Sequence, residues 1–166
     1  MARRALVRLA LRHGPQRHVL VPIYFTVSPP RHRQKLPSFS ASQARLLQLT
    51  NRLRARHRLG PVRISNGLSK IAEMHSRYQG SRARSSHKGR RGFHLKDRLK
   101  EAHFEFRYAS ENVAAGQPTV DEAFRAWKGS KGHLRNMLSP RVDLMGLGLS
   151  TGWDGRLYWT QLFASR

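Results

Sequence analysis

The chain has 166 residues, a formal net charge of +23 and no cysteine. This length is sufficient for one domain whose core needs neither disulfides nor metal, and the lack of cysteine excludes a disulfide scaffold and a thiolate metal site. With 39% hydrophobic residues, the composition is that of a globular chain rather than a disordered one. The positive charge favours anionic partners, which include nucleic acid, acidic lipid and charged polymers of the cell envelope.

The first 41 residues carry no acidic group and divide into two parts. Residues 1–27 form a basic N-terminal segment in which arginines precede a short apolar run, Val19 to Val27. This order is typical of an export signal, but an organelle transit peptide or a mis-assigned start codon would also explain it, because no small-residue cleavage site follows. The run is too short for a transmembrane helix. Residues 28–41 contain three prolines and predict an extended linker.

A folded domain is predicted for residues 42–166, and it begins with a helix. Leucines at near three-and-four spacing follow Ser42 until Gly60-Pro61 stops the run. Four arginines spread their charges over more than one face of this helix, so we interpret them first as solvated surface and only second as a binding stripe. They are Arg52, Arg54, Arg56 and Arg58.

A second helix and a basic loop follow. Asn66 is suited to cap this helix, which continues until Gly80. Its predicted shared face holds Leu68, Ile71, Ala72, His75 and Tyr78. Residues 81–92 are basic and aperiodic, and they therefore predict a loop, which carries His87. A short helix is expected from Leu95 to Ala102.

The middle of the domain predicts a strand and two helices. Phe106 to Ala114 mixes aromatic, β-branched and small residues, which indicates a strand carrying Glu111. Thr119 and Glu122 then match a capping box, in which each side chain satisfies a backbone amide of the other's turn. The buried stripe of this helix consists of Val120, Ala123, Phe124 and Trp127. A shorter helix, Gly132 to Leu138, follows the break at Gly129.

Two apolar runs close the chain and predict a hairpin. They extend from Val142 to Ser150 and from Leu157 to Ala164, and the Asp154-Gly155 pair between them is a strong turn signal. Helices packed on a mostly antiparallel sheet make this an α+β fold.

Short strings along the chain then point to a family. They are LTNRLRARHRLGPV, LSKIAEMHSRYQ, SSHKG, ENVAAG, AWKGSKGHLRNMLSP and GLGLSTGWDGRLYWTQLFA. In this order and spacing they resemble the SCP domain of the CAP superfamily, the group of cysteine-rich secretory proteins, antigen 5 venom allergens and plant pathogenesis-related proteins. The similarity is to the short cysteine-free branch common in bacteria, and it covers about three quarters of the chain. It implies a three-layer α-β-α sandwich with a central cleft.

In that family two histidines and two acidic residues meet in the cleft. The resemblance places three of these positions at His87, Glu111 and His133. Two imidazoles and a carboxylate suit an open site for a divalent ion such as zinc, so these three residues are the candidates for metal binding and for catalysis. Without the family, His87 would be a solvated loop histidine, His133 a residue at a helix start, and Glu111 a strand residue paired with an arginine.

The fourth position departs from the family pattern. In many eukaryotic members a second glutamate lies three residues after the helix tryptophan, and here that place holds Ser130, counted from Trp127. Glu122 is the nearest substitute, but its capping-box pairing with Thr119 explains it without any site. This departure from the family pattern therefore argues against catalysis that needs two carboxylates.

The remaining site candidates are residues expected to line the cleft. They are Ser130, Asn136, Trp159 and Gln161. Asn136 and Gln161 are expected to make hydrogen bonds near it. Trp127, Trp159 and Phe163 are interpreted as core or cleft wall, because aromatic residues at regular spacing usually fill interiors.

Three functions compete. The first is a secreted or cell-envelope binding module whose His/Glu cleft or basic surface holds an apolar, lipid-like or anionic envelope ligand. The second is a metal-dependent hydrolase, in which an ion bound by His87, Glu111 and His133 lowers the pKa of a bound water. The third is a nucleic-acid-associated protein, which rests on charge alone because no groove-reading motif or RNP-like string is present.

Overall fold

Apart from one strand of two residues, helices and strands follow one another in the order that the hydrophobic pattern predicts. The computed structural model describes residues 39–166, which lie within one unit of the chain, Pro37–Arg166. The predicted basic segment, the apolar run Val19 to Val27 and most of the predicted linker lie outside the described residues. The helices are α1 Phe39–Arg56, α2 Asn66–Ser81, α3 Leu95–Glu101, α4 Val120–Gly129 and α5 Lys131–Met137. The strands are β1 Arg63–Ile64, β2 Tyr108–Ala115, β3 Leu144–Thr151 and β4 Leu157–Ser165.

The four strands form one sheet in the order β1-β3-β4-β2. Strands β3 and β4 are the predicted hairpin, β2 pairs antiparallel with β4, and only β1 is parallel to its neighbour β3. The hairpin turn contains Gly155 with a φ of 77°, the left-handed conformation that favours glycine. Strand β2 thus lies at one edge of the sheet, where groups from both faces of the sheet can lie beside it.

Helices cover both faces of the sheet, so the predicted three-layer α-β-α sandwich and the α+β class are confirmed. Alternate residues of β4 divide between the two faces, as the period of two in a strand requires. Trp159 and Phe163 pack with α1, α4 and α5, whereas Leu162 and Ala164 pack with α2 and α3. The interpretation of Trp127, Trp159 and Phe163 as core agrees with their complete burial.

Two helix caps test the sequence pattern. Ser65, and not Asn66, is the N-cap of α2, because Ser65 has the extended backbone of a cap and its hydroxyl accepts a hydrogen bond from the Leu68 amide. At α4 half of the predicted capping box is present: the Thr119 hydroxyl accepts from the Glu122 amide at 3.2 Å, but no hydrogen bond described for residues 39–166 joins the Glu122 side chain to the Thr119 amide. Glu122 Oε1 lies 3.8 Å from Arg125 Nη2 on the same helix.

Arg54 corrects the prediction that the arginines of α1 are all solvated. It is 2% exposed, whereas Arg52, Arg56 and Arg58 are exposed. Its guanidinium group donates hydrogen bonds to four backbone carbonyl groups. These belong to Gly60, Met137, Ser139 and Val142. Burial lowers the pKa of Arg54 from its ordinary value. A side chain expected at the surface therefore joins α1 to the segment between α5 and β3.

Glycines in β3 let the backbone of α2 lie directly on the sheet. A Cβ at Gly148 would come within 2.1 Å of the Ala72 carbonyl oxygen, and one at Gly146 within 2.5 Å of the Leu68 carbonyl carbon. Both positions therefore require glycine for close approach rather than for a special φ.

Replacing Gly148 with alanine is expected to lower the free energy of unfolding by about 1–3 kcal/mol, because α2 must move off the sheet. Urea unfolding followed by circular dichroism measures this. Gly132→Ala in α5 is the matched control, since nothing lies within 4 Å of its Cβ position, and alanine there should be neutral or stabilising. Equal stability of the Gly148→Ala variant and the wild type would contradict the close contact between α2 and β3.

Candidate functional site

The candidate site is built around the carboxylate of Glu111. This residue lies in the edge strand β2, opposite Leu162 of β4, and its side chain is 4% exposed. Glu111 Oε1 lies 2.9 Å from His87 Nδ1, and Oε2 accepts a 2.6 Å hydrogen bond from Arg98 Nη2. His75 Nε2 is 3.7 Å from Oε2. One buried acid thus faces a guanidinium group and two imidazoles.

Three elements bring the basic groups to Glu111. His75 belongs to the buried face of α2, Arg98 to α3, and His87 to the loop between these helices. The loop is held to α2 by two hydrogen bonds of Ser86, whose carbonyl lies 2.8 Å from His75 Nε2 and whose amide donates to Gln79 Oε1. With Nε2 donating to Ser86, His75 fixes the backbone next to His87.

The surroundings of each group set its pKa. Burial alone would raise the pKa of Glu111, but the hydrogen bond from His87 and the charges of Arg98 and His75 outweigh it, so the pKa lies below its usual value. The hydrogen bond to Glu111 raises the pKa of His87. Burial lowers the pKa of His75. The cluster therefore holds an ionised Glu111, a His87 that protonates readily and a His75 that resists protonation.

His133 approaches the same cluster from the opposite layer. It lies in α5, half-buried, and both burial and the nearby charge of His87 lower its pKa. The His133 carbonyl accepts a hydrogen bond from Asn112 Nδ2 at 3.2 Å. Because β2 is an edge strand, groups from both faces of the sheet can lie beside it, and the effect of His87 on the His133 pKa indicates that the two imidazoles are within electrostatic range. No hydrogen bond or ion pair described for residues 39–166 joins the His133 ring to the Glu111 cluster.

A row of buried amides supports this edge. Asn136 Nδ2 donates to the Glu111 carbonyl and to Asn112 Oδ1, and Asn112 Nδ2 donates to Gln161 Oε1. Gln161 Nε2 in turn donates to the Thr50 hydroxyl of α1. Asn136 and Gln161 thus both make hydrogen bonds, and Asn136 fixes the Glu111 carbonyl, while their place in a cleft stays a prediction.

The other predicted cleft residues make no described hydrogen bond to the Glu111 carboxylate. Ser130 is half-buried at the junction of α4 and α5. Trp159 is completely buried, and its Nε1 donates to the Gln117 carbonyl. No hydrogen bond or ion pair described for residues 39–166 joins Glu122 to Glu111 or to the histidines, which agrees with its role in α4.

His75 and Arg98 are functional candidates that the sequence analysis did not identify. The signal for His75 was present, since an imidazole shares a helix face with Leu68, Ile71 and Ala72 and therefore needs a buried partner. Arg98 had no comparable signal, because the short helix α3 has no long amphipathic pattern and arginine is frequent throughout the chain.

These residues do not fit a three-ligand metal site as they are arranged. Both carboxylate oxygens of Glu111 are engaged, and Arg98 places a positive charge where an ion would bind. Within residues 39–166 there is no group of three or more histidine, aspartate or glutamate side chains that could hold a metal ion. Zinc binding by His87, Glu111 and His133 stays a prediction.

A cavity of about 300 Å³ lies beside the cluster, between α2 and the segment that contains α3. Its walls are mostly apolar, with Ile71, Tyr78 and Phe93 among the lining residues. His75 and Arg98 also line it, so they are shared between this cavity and the Glu111 cluster. A mostly apolar volume thus adjoins Arg98 and the largely neutral His75, and its lining also includes one further arginine and one acid, Arg90 and Glu101.

Comparison with known proteins identifies the fold and its family. The model of the Cysteine-rich secretory protein family, CAP, matches residues 47–163. The chain belongs to the CAP family. Over 129 residues this CAP domain is 31% identical to the uncharacterized protein YkwD of Bacillus subtilis, which covers 78% of the chain. The resemblance deduced from the sequence strings is confirmed, and it holds for a chain without cysteine.

Solved structures agree with this assignment. An extracellular protein from Bacillus anthracis that contains an SCP domain superposes with a TM-score of 0.68 and 28% identity, over 87% of this chain and 46% of that one. An outer surface protein from Borrelia burgdorferi has a TM-score of 0.72 at 20% identity, over 78% and 96% of the two chains, and shows the shared fold. This CAP domain spans about half of YkwD, 49% of its length. Among residues 39–166 no helix is long and apolar enough to cross a membrane.

Proposed function

We propose that this CAP domain is an extracytoplasmic binding module that holds an amphipathic anion at the Glu111 cluster. The observation that carries the proposal is the direction in which the charges face. His87 is 56% exposed, whereas the carboxylate that it contacts is 4% exposed. The positive side of the pair therefore faces solvent, and the negative side faces the interior.

The charge balance of the cluster favours an anion. Arg98 neutralises Glu111, which is the only acidic side chain among the ion pairs described for this cluster. Protonation of His87, whose pKa Glu111 raises, then adds an uncompensated positive charge near the surface. An anionic head group is therefore attracted at close range by the cluster and at longer range by the net charge of +23 of the whole chain.

The adjoining cavity favours an apolar part in the same ligand. Its volume of about 300 Å³ is within the range of small-molecule sites, and its walls are mostly apolar. Because Arg98 lines it, a chain placed there would end close to this guanidinium group and therefore beside the Glu111 cluster. The extracellular SCP-domain protein of Bacillus anthracis, at 28% identity, supports a place outside the cytoplasm. N-terminal sequencing of the mature protein tests that location.

The expected result is that octyl phosphate binds the full chain at least tenfold more tightly than either inorganic phosphate or octanol. Isothermal titration below the micelle-forming concentration, near pH 6, measures the three affinities. A tenfold difference in affinity corresponds to about 1.4 kcal/mol of binding free energy. This result would therefore mean that the phosphate head and the octyl tail both contribute to binding. Equal binding of octanol and octyl phosphate would contradict a role for the positive cluster.

Two variants separate the head from the tail. His87→Gln is expected to weaken octyl phosphate by about tenfold, through the loss of a charged hydrogen bond, whereas Ala102→Trp should fill the cavity and weaken octyl phosphate without changing phosphate binding. His57→Gln, at an exposed histidine after α1, makes the same change away from the site and should have no effect. Wild-type affinity in the His87→Gln variant would refute the proposal.

The two other functions stay predictions with their own measurements. A metal-dependent hydrolase requires a stoichiometric ion in the purified protein and a loss of that ion in a His133→Ala variant. A nucleic-acid partner requires a binding constant whose logarithm falls steeply with the logarithm of the salt concentration. The slope should correspond to several phosphate contacts. No contact described for residues 39–166 favours either of them over the amphipathic anion.

A further inference from the structure

The hairpin turn between β3 and β4 presents a tryptophan to solvent. Trp153 is 79% exposed, whereas Trp127 and Trp159, the other two tryptophans of the chain, are completely buried. A single exposed apolar residue is ordinary on a protein surface and needs no explanation by itself. Two further properties of its surroundings distinguish Trp153.

The first property is that the turn is held rigidly by its neighbours. Asp154 accepts hydrogen bonds from the amide and Nε of Arg156 and from the Tyr158 hydroxyl. The Gly152 amide donates to the Arg156 carbonyl at 2.8 Å. The polar groups of the turn are thus satisfied within it, while the indole ring of Trp153 remains outside.

The second property is that unpaired arginines lie beside this turn. Gly152 packs against Gly80 at the C-terminal end of α2, and Arg156 Nη2 donates to the Ala83 carbonyl. Arg82 and Arg84 flank Ala83, both are exposed, and the ion pairs described for residues 39–166 give neither of them an acidic partner. We name the surface made by Trp153, Arg82 and Arg84 the Trp153 face.

We propose that the Trp153 face docks on an anionic lipid bilayer. Tryptophan is favoured at the membrane–water interface because its ring is apolar and its N–H is polar, and arginines next to it attract acidic head groups. A soluble anionic polymer would use the arginines but has no apolar layer for the indole. The exposed tryptophan on a hydrogen-bonded turn is therefore the observation that favours a bilayer. No hydrogen bond or ion pair described for residues 39–166 joins Trp153, Arg82 or Arg84 to the Glu111 cluster, so the inference does not depend on the proposed function.

Fluorescence changes that occur in the wild type and are lost in a Trp153→Ala variant give a readout specific to this face, since the other two tryptophans are completely buried. Affinity alone would not identify it, because residues 1–38 are also rich in arginine. Vesicles of phosphatidylglycerol and phosphatidylcholine in about equal amounts are expected to shift the emission of the full chain to shorter wavelength and to protect it from acrylamide. Brominated acyl chains should quench it. Vesicles of phosphatidylcholine alone should give none of these changes.

Variants test the two parts of the face by co-sedimentation with the same vesicles. Trp153→Ala is expected to reduce partitioning about tenfold, and Arg82→Glu/Arg84→Glu at least as much. The matched control is Arg52→Glu/Arg56→Glu, which makes the same charge change on exposed residues of α1. Because this control retains the Trp153 face, it should lose clearly less binding.

Three outcomes would overturn the proposal. The first is an emission of Trp153 that anionic vesicles leave unchanged. The second is equal loss of binding in the two double variants. The third is soluble polyphosphate binding that depends on Arg82 and Arg84 without vesicle-dependent protection of Trp153, which would identify the face as a polymer site.

Discussion

Replacing Arg54 with methionine is expected to lower the free energy of unfolding by about 3–5 kcal/mol, the largest effect of a single change outside the Glu111 cluster. The guanidinium group donates hydrogen bonds to four backbone carbonyls. No other donor to these carbonyls is described within residues 39–166. Methionine keeps much of the volume but offers no donor. The buried carbonyls of Met137, Ser139 and Val142 would then lose their partners, at about 1–3 kcal/mol for each group left unsatisfied.

Arg54→Lys separates charge from geometry. Lysine keeps the positive charge, but its single ammonium group cannot reach carbonyls on both sides of a planar guanidinium group. Its stability should therefore lie between those of the methionine variant and the wild type. Arg52→Met is the matched control, since Arg52 is exposed on the same helix, and it should change stability by less than about 0.5 kcal/mol. Urea unfolding measures all three, and an Arg54→Met variant as stable as Arg52→Met would contradict the role of this contact.

Much of the fold was accessible from the sequence because its elements are local. The strands β2, β3 and β4 and the helices α3 and α5 lie within a few residues of their predicted bounds, since alternating apolar residues and glycine or proline breaks mark them. Helix α1 begins at Phe39 rather than at Ser42. Strand β1 was not predicted, because it has two residues and exists only through its pairing with β3.

The contacts of the site could not be predicted in the same way. The resemblance selected Glu111 and His87, which are in contact, but it did not indicate Arg98 as the second partner of the carboxylate. That contact depends on how α3 packs against β2, which no local pattern determines. The burial of Arg54 could not be predicted for a related reason. Its partners are backbone carbonyls, which every residue has, so the side-chain composition does not indicate them.

Glu111→Gln is expected to lower the free energy of unfolding by about 3 kcal/mol, because it breaks a buried ion pair by removing one partner. Among the described ion pairs, Glu111 is the only acidic partner of Arg98, whose side chain is 10% exposed. Glutamine keeps the shape of the side chain but leaves this guanidinium group without a counter-charge. Glu101→Gln is the matched control, since its 3.7 Å pairing with Arg91 is exposed, and it should change stability by less than about 0.5 kcal/mol.

The difference between the Glu111→Gln variant and the wild type should depend on pH in a defined way. The lowered pKa of Glu111 contributes stability that is present above the ordinary value of 4.5 and is lost as pH falls through the lowered pKa. The raised pKa of His87 contributes stability that is present below the ordinary value of 6.5 and is lost as pH rises through the raised pKa. Both contributions are complete only between these two ordinary values. The stability difference should therefore be largest there and decline on both sides.

Urea unfolding of both proteins from about pH 4 to about pH 8 measures this profile. Nuclear magnetic resonance titration of the His87 ring adds a local readout, because its pKa should fall when the carboxylate is replaced. Arg98 and His75 also face Glu111, but Arg98 stays charged throughout this range, and burial lowers the pKa of His75. The pH dependence above the ordinary value for histidine should therefore arise from His87. A stability difference that does not change with pH, together with an unchanged His87 pKa, would mean that Glu111 and His87 are not electrostatically coupled.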